Sequence, residues 1–253
     1  MIPFRAIGFW RIPHHVATSN ISQIQSELVE KVVLRIHRTS SWFCVLAICL
    51  CLPRLLANTG SIQGQVPLPE TDEAAIPVEK YRGKISGQVA TAPPLVAAVW
   101  LEAPHLSAPA NPPVITLPQT NYQFVRSLIV IPTGTTVLFP NNDSDYHNIY
   151  SLSRPKRFDL GRYKKSENPA PTVLFDKAGF LDLHCEIHDH MRARIRVVDS
   201  PYFGTTDAKG QFTLTNISPG TYTLHAQLDR KTTWKQTIVV QKKATTRITF
   251  PKS

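Results

Sequence analysis

Apolar and polar residues alternate along one stretch of the chain and then lose that regular spacing over a set of distinctive side chains. From Leu181 to Cys185 every second residue is apolar, a period of two that is typical of a half-buried β-strand. Cys185 is therefore predicted at a strand end, with its side chain on the core-facing side. The spacing becomes irregular after Glu186, so we predict that His188 and Met191 lie on a short loop that folds back over the same point.

Further strands are predicted on both sides of this stretch, in residues 84–90, 95–101, 127–139, 234–240 and 245–250. Residues 203–226 add alternating strands separated by an Asp-x-x-Gly turn and a Pro-Gly turn, both of which favour β-hairpins. The pattern predicts an all-β protein.

Cys185, His188 and Met191 follow one another at intervals of three residues. A soft thiolate with two imidazoles and a weak thioether bond selects copper and forms a trigonal electron-transfer site. The second imidazole is expected from a neighbouring strand, and His147 supplies it from residues 139–150, the segment that comes immediately after the apolar run 127–139. Met191 could instead be a core residue, in which case His190 is its main competitor as fourth ligand. We interpret His184 as a surface group, because it lies on the opposite face of the strand.

These two motifs resemble those of the cupredoxins, the blue-copper proteins, and the Cys-x-x-His-x-x-Met spacing is most similar to the amicyanin group. The resemblance spans about residues 114–198. It implies a Greek-key β-sandwich that holds one mononuclear copper ion through His147, Cys185, His188 and Met191. Asn148, beside His147, is a candidate to tie the two ligand loops together by hydrogen bonding.

Residues 203–226 are similar to the transthyretin-like sandwich called the carboxypeptidase regulatory-like domain. In that family two strands precede the hairpin directly, and here residues 85–101 match them from the far side of the copper region. We therefore predict that the cupredoxin is inserted into a loop of this small sandwich. The alternative is that residues 84–101 add edge strands to the cupredoxin. The combination resembles a group of periplasmic proteins often labelled methylamine-utilisation-like.

The N-terminal part of the chain differs from the rest. Trp42 to Leu52 form an apolar run of eleven residues behind a basic flank, whereas a membrane-spanning helix needs about 20. No stable membrane span is expected, and the run reads as a secretory signal cleaved after Ala57, with an uncleaved anchor as the alternative. Periplasmic or secreted localisation follows. Removal of the signal would leave Cys185 as the only cysteine, which favours a metal ligand over a disulfide.

The chain is thus predicted to have five parts. The first part, 1–57, is a signal peptide preceded by an extension that we interpret as arising from a wrongly assigned start codon. The others are a linker (58–83), opening strands of the small sandwich (84–105), the cupredoxin (110–199) and the rest of the small sandwich (200–253).

The net charge is +10, and its strongest feature is the basic segment Arg154 to Lys165. We predict that this segment is a loop that docks an acidic redox partner through electrostatic steering; the alternative is an ordinary solvated loop. Nucleic acid is not expected as a partner, because no aromatic platform or known binding fold accompanies the charge.

One-electron transfer is the leading function. Copper handling or resistance, and binding to envelope polymers with the copper fold as scaffold, are the alternatives. We do not expect an enzyme. A multicopper oxidase has a His-Cys-His motif, whereas here His184-Cys185 is followed by Glu186. The other His-x-His pairs that such an oxidase needs are also missing.

Overall fold

The computed structural model describes residues 58–69, 89–167 and 169–252. The predicted signal peptide therefore lies outside the described residues. Those described confirm the all-β prediction, since every regular element among them is a strand. No helix in this part of the chain is long and apolar enough to cross a membrane.

The strands of the first half are β1 (Gly60–Gln65), β2 (Ala98–Glu102), β3 (Val114–Thr116), β4 (Gln119–Thr120), β5 (Gln123–Phe124), β6 (Leu128–Pro132), β7 (Thr135–Leu138) and β8 (His147–Ser151). Those of the second half are β9 (Phe158–Tyr163), β10 (Thr172–Phe175), β11 (Gly179–His184), β12 (Arg192–Val198), β13 (Phe203–Thr205), β14 (Gln211–Ile217), β15 (Gly220–Gln227), β16 (Thr233–Val240) and β17 (Thr245–Thr249).

One sandwich packs a five-stranded sheet, in the order β6-β12-β11-β8-β9, against the three-stranded sheet β10-β7-β3. Alternate residues of these strands point inward and form one apolar core, which includes Ile131, Val137, Phe175, Leu181 and Ile195. Cys185 and Met191 belong to the same core. We call this unit the copper sandwich, after its predicted ligands.

The apolar run 127–139 was predicted as one strand, and this is wrong. It forms β6 and β7, which belong to different sheets. The chain crosses between the sheets at Gly134, whose φ of 91° lies in the left-handed region. A Cβ there would lie 2.7 Å from the ring of Pro112, so glycine is required for both the turn and the close approach.

A second, small sandwich packs the sheet β13-β2-β15-β16 against β14-β1-β17. Its core includes Ile62, Leu101, Phe212, Leu224 and Ile238. β1 and β2 precede the copper sandwich in the chain, whereas β13 to β17 follow it. The small sandwich is therefore built from both flanks of the copper sandwich.

The predicted linker 58–83 is wrong over residues 60–65, which form β1, the central strand of a three-stranded sheet. Gly-Gln-Val occurs twice, at 64–66 and 87–89, and the sequence interpretation chose the second copy as the opening strand. Val66 lies in the small core, but Val89 packs into the core of the copper sandwich. Residues 84–88 of the predicted strand lie outside the described residues.

The two sandwiches share an apolar contact made by Ala98, Trp100, Leu128, Phe180 and Val198. Polar groups surround this contact. The Arg196 guanidinium lies 4.0 Å from the centroid of the Trp100 ring and donates to Gln227 Oε1 at 3.0 Å. Arg230, on the loop after β15, donates from Nε to Asp182 Oδ2 of β11 at 2.5 Å. The small sandwich thus contacts the strand that leads to Cys185.

Candidate metal centre

Two neighbouring strands and the turn after one of them position the predicted ligands. β8 begins at His147, and β11 ends at His184, directly before Cys185. These strands pair antiparallel, with His184 opposite Tyr150. The turn from Cys185 to Met191 is closed by two backbone bonds, Cys185 N–H to Met191 O at 3.3 Å and Met191 N–H to His188 O at 2.9 Å. This closure brings His188 back over the end of β11, as the irregular spacing predicts.

His147, Cys185 and His188 come together as one buried group, and their candidate ligand atoms all lie within 4.8 Å of one another. The two Nδ1 atoms are 3.1 Å apart, and Cys185 Sγ is 3.9 Å from His188 Nδ1. One thiol sulfur and two imidazole nitrogens that face a common point form a donor set that fits copper. Met191 is fully buried in the same core, and its role as a ligand stays a prediction.

Asp143 fixes the orientation of the His147 ring. Its Oδ2 lies 2.8 Å from His147 Nε2, and the carboxylate also accepts the backbone N–H groups of Asn121 at 2.7 Å and Tyr122 at 3.0 Å. Burial alone would raise the pKa of Asp143, but these hydrogen bonds lower it below its usual range. With Nε2 held by the carboxylate, Nδ1 of His147 is the nitrogen that faces Cys185 and His188.

The Cys185 thiol is prepared to ionise. Burial raises its pKa, but hydrogen bonds from His147 and His188 and backbone N–H groups such as that of Asn148 lower it to about 5. For His147 the balance has the opposite sign, since burial lowers its pKa while Asp143 and Cys185 raise it above the ordinary value. The interaction between the two groups thus shifts the pKa of the Cys185 thiol down and that of the His147 imidazole up.

Tyr122 covers the two imidazoles and was missed by the sequence interpretation. Its ring lies edge-on to His147 and His188, with centroids 5.7 and 5.1 Å away, and its hydroxyl donates to Asp145. Asn121 and Tyr122 form the two-residue turn between β4 and β5, with φ values of 52° and 59°. Asn at such a turn is a known hairpin signal, but nothing in the sequence places this hairpin beside His147.

The other candidates lie outside the close group. His190 is half-buried, with Nε2 2.9 Å from Tyr122 O and its ring 6.1 Å from that of His188. His184 lies on the outer face of the sheet against the Tyr150 ring. Glu186 is exposed and forms an ion pair with Arg162 at 2.5 Å.

Asn148 differs from its prediction. Its side chain donates to Asp159 Oδ1 at 2.6 Å, on β9, rather than across the two ligand loops. The link to the other loop is made by its backbone N–H, which contributes to the low pKa of Cys185.

The basic segment 154–165 is only partly a loop, because six of its residues form β9. Lys156 pairs with Asp176 at 3.1 Å, and Arg162 pairs with Glu186. The Lys164 ammonium lies 5.0 Å from the centroid of the Tyr146 ring. Part of the segment's positive charge is therefore paired with other side chains of the same chain.

The family described as the carboxypeptidase regulatory-like domain matches residues 191–251, from β12 to β17. No curated protein sequence matches the chain.

Solved structures with a likeness to part of the chain are cupredoxins and a copper-containing enzyme. The Cu-containing nitrite reductase from Thermus scotoductus SA-01 is 26% identical, with a TM-score of 0.33, over 35% of this chain and 23% of that enzyme. The purple cupredoxin from Nitrosopumilus maritimus is 24% identical, with a TM-score of 0.30, over 34% of this chain and 100% of its own. Amicyanin from Paracoccus versutus is 20% identical, with a TM-score of 0.31, over 40% of this chain and 97% of its own.

Proposed function

We propose that this protein is an exported, cupredoxin-like copper protein that transfers one electron at a time. The observation that carries the proposal is the buried convergence of Cys185 Sγ with the imidazoles of His147 and His188. Met191, three residues after His188 in the sequence and buried in the same core, is proposed as the weak axial ligand. Copper bound there would supply the Cu(II)/Cu(I) couple.

The residues around this group favour a rigid site. Asp143 holds the His147 ring, Tyr122 packs against both imidazoles, and two backbone bonds close the turn from Cys185 to Met191. A ligand set fixed by packed strands and hydrogen bonds changes its geometry little between two oxidation states. Little reorganisation is what electron transfer requires.

Burial distinguishes this proposal from its alternatives. The three candidate ligands are all buried, whereas exchange of copper with other carriers would favour exposed ligands. Burial of all three side chains also favours a carrier over an enzyme, whose substrate would need access to the metal. His190 lies near His188, and its Nε2 contacts the backbone oxygen of Tyr122. If the protein exchanged copper with another carrier, His190 is the side chain that would bind the ion on its way.

We further propose that the protein acts in the periplasm or outside the cell, and that an acidic redox partner docks beside the basic segment. Among the described residues, no carboxylate forms an ion pair with Arg154, Arg157 or Lys165. These exposed charges remain available to steer an acidic partner, with an effect that weakens as ionic strength rises.

The test is the visible absorption and EPR spectrum of the chain from Asn58 onwards, loaded with Cu(II). We expect an intense thiolate-to-copper absorption band that is lost in Cys185→Ser and retained in His184→Gln, the matched control at the adjacent position. Met191→Leu should alter the spectrum, and His190→Gln should not. Folded, copper-loaded protein without the band would contradict electron transfer and favour copper handling.

A further inference from the structure

A second polar site lies on the outer face of the five-stranded sheet. There a cavity of about 440 Å³ opens over β11 and β12, and its walls include Asp182, His184, Arg192 and Arg194. Asp182 lies opposite Arg194 in the strand register, and His184 lies opposite Arg192. Because side chains alternate across a strand, these four point away from the face that carries Leu183 and the Cys185 thiol.

The two arginines of this cavity keep hydrogen-bonding capacity. Arg192 donates only from Nε, to Asp189 O at 3.1 Å, and Arg194 donates from one terminal nitrogen to Leu228 O at 2.6 Å. Both acceptors are neutral backbone carbonyls. In the described part of the chain, neither guanidinium forms an ion pair with a carboxylate, and neither ring nitrogen of His184 has a hydrogen-bond partner.

The one acidic side chain in the cavity wall is already neutralised. Asp182 Oδ2 lies 2.5 Å from Arg230 Nε, so a third guanidinium stands at the edge of the site. Although Asp182 and Arg194 are cross-strand neighbours, no ion pair joins them. The net charge at the cavity wall is therefore positive, because Arg192, Arg194 and Arg230 outnumber Asp182.

We propose that this cavity binds a small oxyanion, a carboxylate or a phosphate, between the guanidinium groups of Arg192 and Arg194, with His184 as a further donor. Each guanidinium presents a planar fork of N–H groups that matches two oxygens of such an anion. Arg192 and Arg194 are two residues apart on β12, which places their backbones about 7 Å apart, a span that one anion can bridge. The site uses none of the candidate copper ligands and stands independently of the proposed electron transfer.

The experiment is isothermal titration of the full chain with inorganic phosphate and, separately, with malonate. We expect saturable binding of at least one of the two, and the one that binds more tightly identifies the anion class. Arg192→Gln should weaken that binding at least about tenfold, because a charge-assisted, bidentate contact is lost. Arg192 is exposed, so this variant is expected to fold.

Arg247→Gln is the matched control, since Arg247 is also exposed on a sheet face but lies on β17 of the small sandwich. Its binding should equal that of the unaltered chain. The proposal is overturned if neither anion binds, if the two variants weaken binding equally, or if chloride at the same concentration competes as well as phosphate or malonate.

Discussion

At the scale of single residues, the Cys185 thiol is prepared for a metal before one binds. Its pKa is lowered to about 5, so in metal-free protein we expect the ultraviolet absorbance of the thiolate to titrate near that pH. The pKa is lower in the folded than in the unfolded state, so the thiolate stabilises the fold at high pH. This stabilisation declines as pH falls from the unfolded pKa and is lost below about 5. Cys185→Ser should remove the absorbance change, and a midpoint near the ordinary thiol value would contradict the prediction.

Asp143 acts on the site through His147 rather than as a ligand. Asp143→Asn keeps the shape of the side chain but removes the charge that holds Nε2, and we expect copper affinity to fall about 10- to 100-fold. Competition with a chelator of known affinity measures the loss. Asp176→Asn, which removes an exposed carboxylate paired with Lys156, should leave the affinity unchanged. Equal affinities in the two variants would mean that Asp143 only supports the Asn121–Tyr122 turn.

At the scale of elements, the hairpin of β4 and β5 depends on two residues in the left-handed region. Asn tolerates this conformation and a β-branched residue does not. Asn121→Val is therefore expected to lower the free energy of unfolding by about 1–2 kcal/mol, measured by denaturant titration. Asn121→Gly is the control, because glycine adopts positive φ without steric cost. Equal destabilisation by both substitutions would show that the Asn121 side chain matters more than its backbone conformation.

Elements with a local sequence signal could be predicted, whereas features that depend on long-range packing could not. The alternation before Cys185 and the three-residue spacing after it are local signals, and the structure brings His147, Cys185 and His188 together. The choice between the two Gly-Gln-Val copies is not local, because it depends on which core Val66 and Val89 enter. Tyr122 was missed for the same reason: its contact with the histidines spans a sequence separation that no periodicity records.

At the scale of the whole molecule, the small sandwich is assembled from strands on both sides of the copper sandwich, so the two units should unfold together. Their contact is a small apolar cluster bordered by Arg196, whose guanidinium lies against Trp100 and bonds to Gln227. Burial lowers the pKa of Arg196, although its nearby carboxylates and its high ordinary value keep it charged. A buried guanidinium over an aromatic ring contributes about 0.5–2 kcal/mol, so we expect Arg196 to couple the two units, together with the bonds from Arg194 to Leu228 O and from Arg230 to Asp182.

The chain from Asn58 onwards offers a separate probe for each unit. Its tryptophans, Trp100 and Trp234, lie in the small sandwich, and its one cysteine lies in the copper sandwich. At about pH 7 unfolding should protonate the Cys185 thiolate, so thiolate absorbance reports one unit and tryptophan fluorescence reports the other. We expect the two probes to share one denaturant midpoint in the unaltered chain, the signature of a single cooperative transition.

Arg196→Ala should separate the two midpoints, because it removes the ring contact and the bond to Gln227 while leaving both cores intact. Arg247→Ala, on the outer face of the small sandwich, should keep them together. The size of the separation measures how much of the coupling Arg196 supplies. Coincident midpoints in Arg196→Ala would mean that the remaining contacts, the apolar cluster around Trp100 and Phe180 and the bonds of Arg194 and Arg230, couple the sandwiches without it.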